Sequence, residues 1–462
     1  MSMSEKSVNS SLHQIEQQLA DKNPALLQAF RLYHELDQVA YEMGLIGMDD
    51  SLANKTSWSP IITVIGEPTS GKNEFINQYL GGTTSLVNSD NIGAQFSVLT
   101  HRNSENSMIL PGTAVDGDPR FPFFHISDRL DQISKSESRN INIYLDLKTS
   151  NSPQLKDKTI ITAPGFSLHE RQEGINLLRN HASDLSDLVF VFFDANQFTI
   201  DDFKVTLPPF LKHAANSHNP SKFIYIISEN DAQASAETVA NWKHQLSNLG
   251  LQAGQFISLS SDPGVSTQQV LEQKLSNIDI ESAYRILSTL EEHITDFENV
   301  IVHEVTKALT LWKERTHFTL TLLLSFIALT LVAGEIQFGL VAILLDPFIA
   351  STGLFVLLIA LVPFHLSSSK FHAKFIKKDL LNRQNELGLT ENLPALFEKN
   401  LNFWRMILPI TTPVTWTKEV QETLDMILTR AKGLVQSLNN SFNSQSSSTN
   451  NSSNENETFL NL

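Results

Sequence analysis

A glycine-rich loop constrains the fold of this chain more than any other feature of its sequence. The run Gly66-Glu67-Pro68-Thr69-Ser70-Gly71-Lys72-Asn73 lies between an apolar run, Ile61–Ile65, and a predicted helix at 74–80. In a G-x-x-x-x-G-K loop, the glycines let backbone N–H groups turn inward around phosphate oxygens, and the lysine reaches the outer phosphates. A strand before the loop and a helix after it are the context that this motif requires. The predicted phosphate-binding residues are Gly66, Thr69, Ser70, Gly71, Lys72 and Asn73.

Short apolar runs alternate with helical patterns from Ile61 to about Ser261. Several of these runs are continuous, as expected of central strands that are covered on both faces. The predicted strands are Ile61–Ile65, Ile141–Leu147, Thr159–Ile161, Leu188–Phe193, Phe223–Ile227 and Phe256–Leu259. Helices are predicted between them, for example at 174–181 and 236–249. The pattern predicts an α/β P-loop nucleotide-binding domain over residues 58–265.

Helical patterns flank this domain on both sides. Residues 1–57 and 370–438 are predicted to form stalk helices, the latter as two helices that span 370–388 and 393–438. Residues 280–317 are predicted to form a single stalk helix with a narrow apolar seam, suited to a coiled-coil or bundle partner. The predicted seam residues are Leu287, Leu290, Ile294, Phe297, Ile301, Ala308 and Leu311. The final stretch, 439–462, is mostly Ser, Asn, Gln and Thr and is predicted to be disordered.

Two apolar segments, Phe318–Ala333 and Phe348–Phe364, contain no charged residue. Each is near the short limit of about 17 residues for a membrane-spanning helix. Basic residues flank both outer ends, which favours a cytosolic location for both termini. We therefore predict a two-helix transmembrane hairpin at 318–366. The alternatives are a hairpin that enters one leaflet only and a hairpin buried within a soluble protein.

Three residues border these apolar segments. Trp312 lies just before the first, where tryptophan commonly anchors a helix in the membrane interface. His365 and His372 follow the second and are predicted to lie in the same interface. Basic flanks and interfacial residues together predict the lipid bilayer as a partner of this chain.

Composition excludes several classes of function. The formal net charge is −16, which argues against a nucleic acid partner because nucleic acids are themselves polyanions. The chain has no cysteine, which excludes disulfides, thiolate metal sites and cysteine nucleophiles. Abundant asparagine and serine, together with the lack of cysteine, indicate a bacterial inner-membrane protein.

Several further segments resemble the dynamin superfamily, and in detail its EH-domain-containing (EHD) branch. Residues 110–123 are similar to the "LPG-x-A…DP…PF" segment of EHD proteins, and 193–203 to their "FDA…ISDEF" segment. Residues 160–165 stand where "IDTPG" stands in the family, and 227–231 where "NKxD" stands. The resemblance covers roughly residues 60–260, and no EH domain is recognisable at the C-terminus. The apolar hairpin resembles that of mitofusins and membrane-spanning bacterial dynamin-like proteins.

This resemblance implies a dynamin-type G domain that binds GTP or ATP. It adds Gly165 and Asp231 to the predicted nucleotide-binding residues. It also implies a homodimer or a higher homo-oligomer that remodels or organises a membrane. The base remains open, because Asp231 can accept hydrogen bonds from guanine, whereas the EHD branch favours adenine nucleotides.

The chain departs from the family pattern where magnesium and water are normally positioned. Asn73 replaces the Ser or Thr whose hydroxyl binds Mg²⁺, and it is the one candidate for a metal contact. Thr162 replaces the Asp of the magnesium shell, and Pro68 replaces the catalytic Gln of dynamin. The switch threonine expected near 92–94 is missing, and 228–229 read Ser-Glu in place of the base-reading Asn-Lys.

These departures leave a phosphate cradle without its magnesium-positioning groups. Because Mg²⁺ neutralises charge between the outer phosphates, its loss costs several kcal/mol of transition-state stabilisation. We therefore predict a nucleotide-binding protein with weak or absent hydrolysis, and we assign no catalytic residue. The alternative is a pseudo-GTPase membrane scaffold with no nucleotide-driven cycle.

Overall fold

The structure is a computed structural model that forms two compact units, residues 54–286 and residues 1–53 with 287–462. It describes residues 12–13, 15–17, 19–20, 24–48, 50–81, 95–104, 106–118, 120–133, 140–167, 172–194, 203, 205–217, 219–228, 236–248, 256–259, 274–338, 347–387, 389 and 391–458.

An eight-stranded sheet forms the centre of the 54–286 unit, in the order β3-β4-β2-β5-β1-β6-β7-β8. The strands are β1 Ile61–Gly66, β2 Phe96–His101, β3 Met108–Pro111, β4 Leu145–Ser150, β5 Thr159–Pro164, β6 Leu188–Asp194, β7 Phe223–Ser228 and β8 Phe256–Leu259. From β5 to β8 all neighbours are parallel, whereas β2 runs antiparallel to β5 and β3 antiparallel to β4. The carboxyl ends of β1, β5 and β6 therefore meet at one edge of the sheet.

The main α-helices are numbered here in chain order. They are α1 Pro24–Met43, α2 Leu52–Lys55, α3 Lys72–Tyr79, α4 Thr113–Asp116, α5 Ile126–Ile133, α6 Ile141–Tyr144, α7 Gln172–Leu185, α8 Leu207–Ala215, α9 Ala236–Asn248, α10 Ile278–Asp296, α11 Val302–Phe338, α12 Pro347–Leu387, α13 Leu393–Glu398, α14 Phe403–Ile407 and α15 Lys418–Thr458. Two short 3₁₀ turns lie at Pro153–Leu155 and Pro220–Lys222.

Both faces of the sheet are covered by apolar side chains. Ile61 and Ile65 of β1 belong to one buried cluster, whereas Ile62 and Val64 belong to a second cluster that includes Ile76 of α3. Alternate residues of one strand point to opposite faces, so a strand covered twice reads as a continuous apolar run. The predicted fold class, an α/β P-loop domain joined to a helical region, is confirmed.

The strand predictions differ from the structure at three places. The run predicted as one strand at 141–147 is helical at Ile141–Tyr144, and β4 begins only at Leu145. Strands β2 and β3 were not predicted, because their short, mixed sequences resemble loops. Both owe their conformation to pairing with β4, which no local pattern reveals.

A π-helical turn, Phe297–Ile301, separates α10 from α11. Before this turn the predicted seam residues are buried. After it the buried residues include Val305, Leu309 and Trp312, whereas the predicted Leu311 is 39% exposed. Ala308, a predicted seam residue beyond the turn, is also buried, so the seam continues and Trp312 rather than Leu311 takes its next position. The prediction for Leu311 is therefore wrong.

Helices α11 and α12 carry the two apolar segments. Both are long and apolar enough to cross a membrane, and no residue in the most apolar stretch of either helix is buried. Phe318, Phe326 and Phe348 are each at least 63% exposed. A buried soluble hairpin would cover such side chains, so the described residues argue against that alternative.

Trp312 is not the interfacial residue that its position in the sequence suggested. It is 1% exposed, its Nε1 donates to the carbonyl of Ser369 at 2.9 Å, and its ring packs edge-on against Phe397. The ring therefore joins α11 to α12 and α13 inside the helical unit.

Two predictions for the C-terminal region also differ from the structure. The helix predicted over 393–438 is interrupted between α13 and α15, where only the five-residue α14 is helical. Pro409 and Pro413 lack the N–H group that a continuous helix needs. Beyond residue 438, where disorder was expected, α15 continues to Thr458. A lone helix can satisfy its backbone hydrogen bonds without burying a core.

Candidate nucleotide-binding site

The glycine-rich loop leaves the sheet at the carboxyl end of β1. Gly66 pairs with Pro164 of β5 and Phe192 of β6, so neighbouring backbones enclose it on both sides. A Cβ atom on Gly66 would lie 2.7 Å from Ser70 Oγ and 2.8 Å from Phe192 Cβ. The close packing at this point accepts only glycine.

The loop closes on itself before it enters α3. Both the backbone N–H and the hydroxyl of Ser70 donate to the carbonyl of Glu67, at 3.1 and 2.6 Å. Gly71 has φ = 80°, a left-handed conformation that favours glycine. Thr69 lies exposed on the rim, whereas Ser70 is buried. The loop and the N-terminus of α3 thus have the form of a phosphate cradle.

Lys72 lies at the first position of α3, with its side chain folded into the loop. Its Nζ donates to the carbonyls of Gly66 and Ala163, each at 2.8 Å. Burial lowers the pKa of Lys72 to about 8, and the negative charge of Glu67 opposes this shift. An ammonium group held by two carbonyl oxygens can transfer its donors to phosphate oxygens, which supply the charge that the carbonyls lack.

The carboxylate of Glu67 faces the segment that follows β5. Its Oε1 accepts from the backbone N–H of Ser167 at 2.8 Å, and its Oε2 accepts from the Ser167 hydroxyl at 3.0 Å. It packs directly over Gly165, where a Cβ atom would clash with Oε1. The buried carboxylate therefore links the glycine-rich loop to the chain after Gly165. A negative charge is unexpected here, because this loop is predicted to bind an anion.

Arg179 of α7 holds the same segment from the other side. Its guanidinium donates to the carbonyl of Gly165 and to Asn176 Oδ1, the latter at 2.7 Å, and stacks 4.6 Å from the centre of the Phe166 ring. Burial lowers the pKa of Arg179 to about 10, although the charge of Glu67 opposes this shift. The site thus holds two buried cations, Lys72 and Arg179, with Glu67 as their shared electrostatic partner.

Sequence reasoning placed neither Glu67 nor Arg179 among the predicted site residues, and it named Glu67 only as a replacement ligand in case hydrolysis is brisk. The signal for Glu67 was present, since an acidic residue inside a phosphate-binding loop is chemically out of place. Arg179 had no signal, because only the packing of α7 against β5 brings it to Gly165.

The magnesium-positioning groups that P-loop enzymes use are not reproduced here. Asn73 Oδ1 is buried and has no hydrogen-bond partner among the described residues, and the buried Thr162 offers a hydroxyl in place of a carboxylate. In the row of the sheet that contains Thr162, Asp146 of β4 lies two strands away from it. Asp146 Oδ2 forms an ion pair with Lys148 Nζ at 3.5 Å. Within the described residues, no three His, Cys, Asp or Glu side chains cluster as a metal site would require. This arrangement does not fit Mg²⁺ as P-loop enzymes hold it.

Some predicted site residues lie outside the described part of the chain. These are Asp231, the neighbouring Glu229 and the switch segment near 92–94. The described residues bring together Gly66, Ser70, Gly71, Lys72, Asn73 and Gly165, with Thr69 on the rim.

No family model matches the sequence, and no curated protein matches it. A solved structure of an oligomerised bacterial dynamin pair, concerned with long-range sensing and tethering of membranes, is 16% identical over 91% of this chain and 80% of that chain, with a TM-score of 0.33. A second structure of such a pair is 14% identical over 95% and 79% of the two chains, with a TM-score of 0.34. An Era variant from Aquifex aeolicus, bound to GDP and AlF4⁻, is 13% identical over 47% and 56%, with a TM-score of 0.24. At such low identities and TM-scores these matches carry no argument, and the fold assignment rests on the strand order and the loop described above.

Proposed function

We propose that this chain is a membrane-anchored nucleotide-binding protein of the dynamin-like type. The observation that carries the proposal is a phosphate cradle with Lys72 at the carboxyl edge of a parallel sheet, in one chain with two unburied apolar helices. Either feature alone is common. Their combination in one chain, with the EHD-like segments in order around the loop, favours a protein that couples nucleotide state to a membrane.

The nucleotide is GTP or ATP, and its charge is matched by Lys72. The bilayer and further copies of the same chain are the proposed partners, as self-assembly is the way dynamin-like proteins act on membranes. The helical unit would transmit changes of the nucleotide domain to the hairpin. Basic residues at the outer ends of the hairpin favour two cytosolic termini, with a bacterial inner membrane as the location.

The second candidate is a membrane scaffold whose pocket runs no nucleotide cycle. Two observations favour it. Asn73 and Thr162 do not fit a magnesium ion, and Glu67 already supplies a negative charge beside Lys72. Hydrolysis is therefore weak or absent in the first candidate and irrelevant in the second.

Nucleotide binding to the purified full chain tests the proposal. Lys72→Ala removes the cation of the cradle, and charge-assisted hydrogen bonds are worth about 1.5–3 kcal/mol each. We expect the affinity for a nucleoside diphosphate or triphosphate to fall about tenfold or more. Lys243→Ala, on α9 of the same unit, is the matched control. Equal nucleotide affinities in the wild type and in Lys72→Ala would refute the proposed nucleotide-binding site. The membrane scaffold without a nucleotide cycle would then be the remaining candidate.

Protease protection tests the membrane topology. In sealed vesicles with the cytosolic side outward, added protease should remove both ends of the chain, because the hairpin returns the chain to its starting side. Protection of one terminus would mean a single crossing and would overturn the hairpin.

A further inference from the structure

The segment between α13 and α15, residues 400–414, is a loop closed by its own hydrogen bonds, and we call it the 400–414 loop. Asn400 is fully buried, and its Oδ1 accepts from the backbone N–H of Val414 at 2.8 Å and from the Arg405 guanidinium at 2.6 Å. The same guanidinium donates to the carbonyl of Thr412 at 2.7 Å. These bonds close the loop at its base and hold the short helix α14 in a fixed place.

The closed loop turns its large apolar side chains outward. Trp404 is 71% exposed and Phe403 is 48% exposed, and their rings meet edge to face at 5.5 Å. Further exposed apolar residues of the loop are Ile407, Leu408, Ile410 and Val414. The loop has one charged residue, Arg405, whose guanidinium is used within the loop. Such a patch on a chain of net charge −16 needs an explanation, because aromatic side chains are rarely left in water as a group.

Two contacts fix this loop beside the membrane ends of the apolar helices. Lys313 of α11 donates from Nζ to the carbonyl of Arg405, and His365 of α12 donates from Nε2 to the carbonyl of Met406 at 3.0 Å. Helical rise puts Lys313 about 8 Å before Phe318, where the first apolar segment begins, and puts His365 directly after the second. The headgroup layer on each side of a bilayer is about 5–8 Å thick. The backbone of the loop thus lies at the depth of the headgroups when the hairpin is inserted.

We propose that the 400–414 loop is a second, peripheral membrane contact, with Phe403 and Trp404 placed in the headgroup layer beside the hairpin. The proposal rests on the proposed function, because the inserted hairpin sets the depth. Lipid is the favoured occupant because the loop is pinned to both membrane-flanking residues, and tryptophan prefers this layer. The loop therefore supplies the interfacial anchor that the buried Trp312 does not.

The lack of cysteine makes the test direct. Trp404→Cys introduces the only thiol of the full chain, which can carry an environment-sensitive fluorophore in reconstituted vesicles. Leu329→Cys, 66% exposed on α11, reports insertion of the hairpin, and Met426→Cys, 52% exposed on α15, is the control for an exposed apolar site. Ile407→Cys gives a second position in the loop. None of these changes removes a side chain that holds the loop closed.

Quenching by nitroxide lipids distinguishes the outcomes. We expect the label at 404 to shift to the blue and to be quenched more by a headgroup nitroxide than by a mid-chain nitroxide. The order should reverse at 329, and 426 should show neither effect. Quenching at 329 without quenching at 404 or 407 would overturn the proposal for the 400–414 loop but leave the membrane hairpin intact. The absence of quenching at 329 would overturn the hairpin itself. A blue shift at 404 that grows with protein density, without lipid quenching, would show that another copy covers the loop and would also refute the proposal.

Discussion

The carboxylate of Glu67 should set the preference of the site between nucleoside diphosphates and triphosphates. It lies over Gly165, which the family resemblance places among the predicted nucleotide-binding residues, and it accepts two hydrogen bonds from Ser167. Two unit charges about 5 Å apart, at an effective dielectric constant of about 20, repel by about 3 kcal/mol. A terminal phosphate would meet this repulsion, whereas a diphosphate would avoid most of it.

Glu67→Gln removes the charge while it keeps the shape of the side chain. The amide oxygen can still accept one hydrogen bond from Ser167, so the segment after Gly165 stays in place. Screening and relaxation reduce the effect, but each 1.4 kcal/mol or so is a factor of about ten. We therefore expect the ratio of triphosphate to diphosphate affinity to rise tenfold or more.

Calorimetric titration with both nucleotides measures this ratio. The charge of Glu67 also holds up the pKa of Lys72, so the titration is run well below pH 8, where the protonated form of Lys72 is favoured. Glu74→Gln is the matched control, since Glu74 lies exposed in the first turn of α3. An unchanged ratio in Glu67→Gln, with both nucleotides still bound, would refute the electrostatic reasoning.

Three further predictions concern protons, magnesium and stability. Burial lowers the pKa of Lys72 to about 8, and a bound phosphate raises it. Nucleotide affinity should therefore be constant below about pH 8 and fall by up to tenfold per pH unit above it. In Lys72→Met, nucleotide affinity should not fall in this way above about pH 8. Asn73→Thr together with Thr162→Asp should introduce magnesium-dependent turnover, whereas each change alone should do little because both act on one ion. Two results would contradict this: single-variant effects on turnover that add up to the effect of the double variant, or brisk magnesium-dependent turnover in the wild type. Arg285→Met should lower the free energy of unfolding by about 3–5 kcal/mol, because it leaves the buried Asp187 carboxylate without the guanidinium that now lies 2.7 Å away. Burial raises the pKa of Asp187, so the loss of stability should shrink as the pH falls and the carboxyl takes up a proton. Arg120→Met, which breaks an exposed pair with Asp118, is the control. It should lower the free energy of unfolding by less than about 1 kcal/mol in the same denaturant titration.

The sequence by itself determined the features whose causes are local. The turn from β1 into α3 depends on Gly66, Gly71 and Lys72, which are neighbours in the chain, and the structure forms it where the motif predicts. Continuous apolar runs located β5, β6, β7 and β8 to within a few residues, because a strand covered on both faces must be apolar throughout. The two apolar helices were equally evident, since hydrophobicity over 16 or 17 residues needs no partner to be recognised.

Only the tertiary structure decided which side chains meet. Glu67 and Ser167 are 100 residues apart, and Arg179 reaches Gly165 only because α7 packs on β5. The same reason governs the aromatic residues near the hairpin. Trp312 and Trp404 both border helical, apolar sequence, yet one is buried between helices and the other is exposed. Burial depends on what packs against a residue, and that is a property of the whole fold.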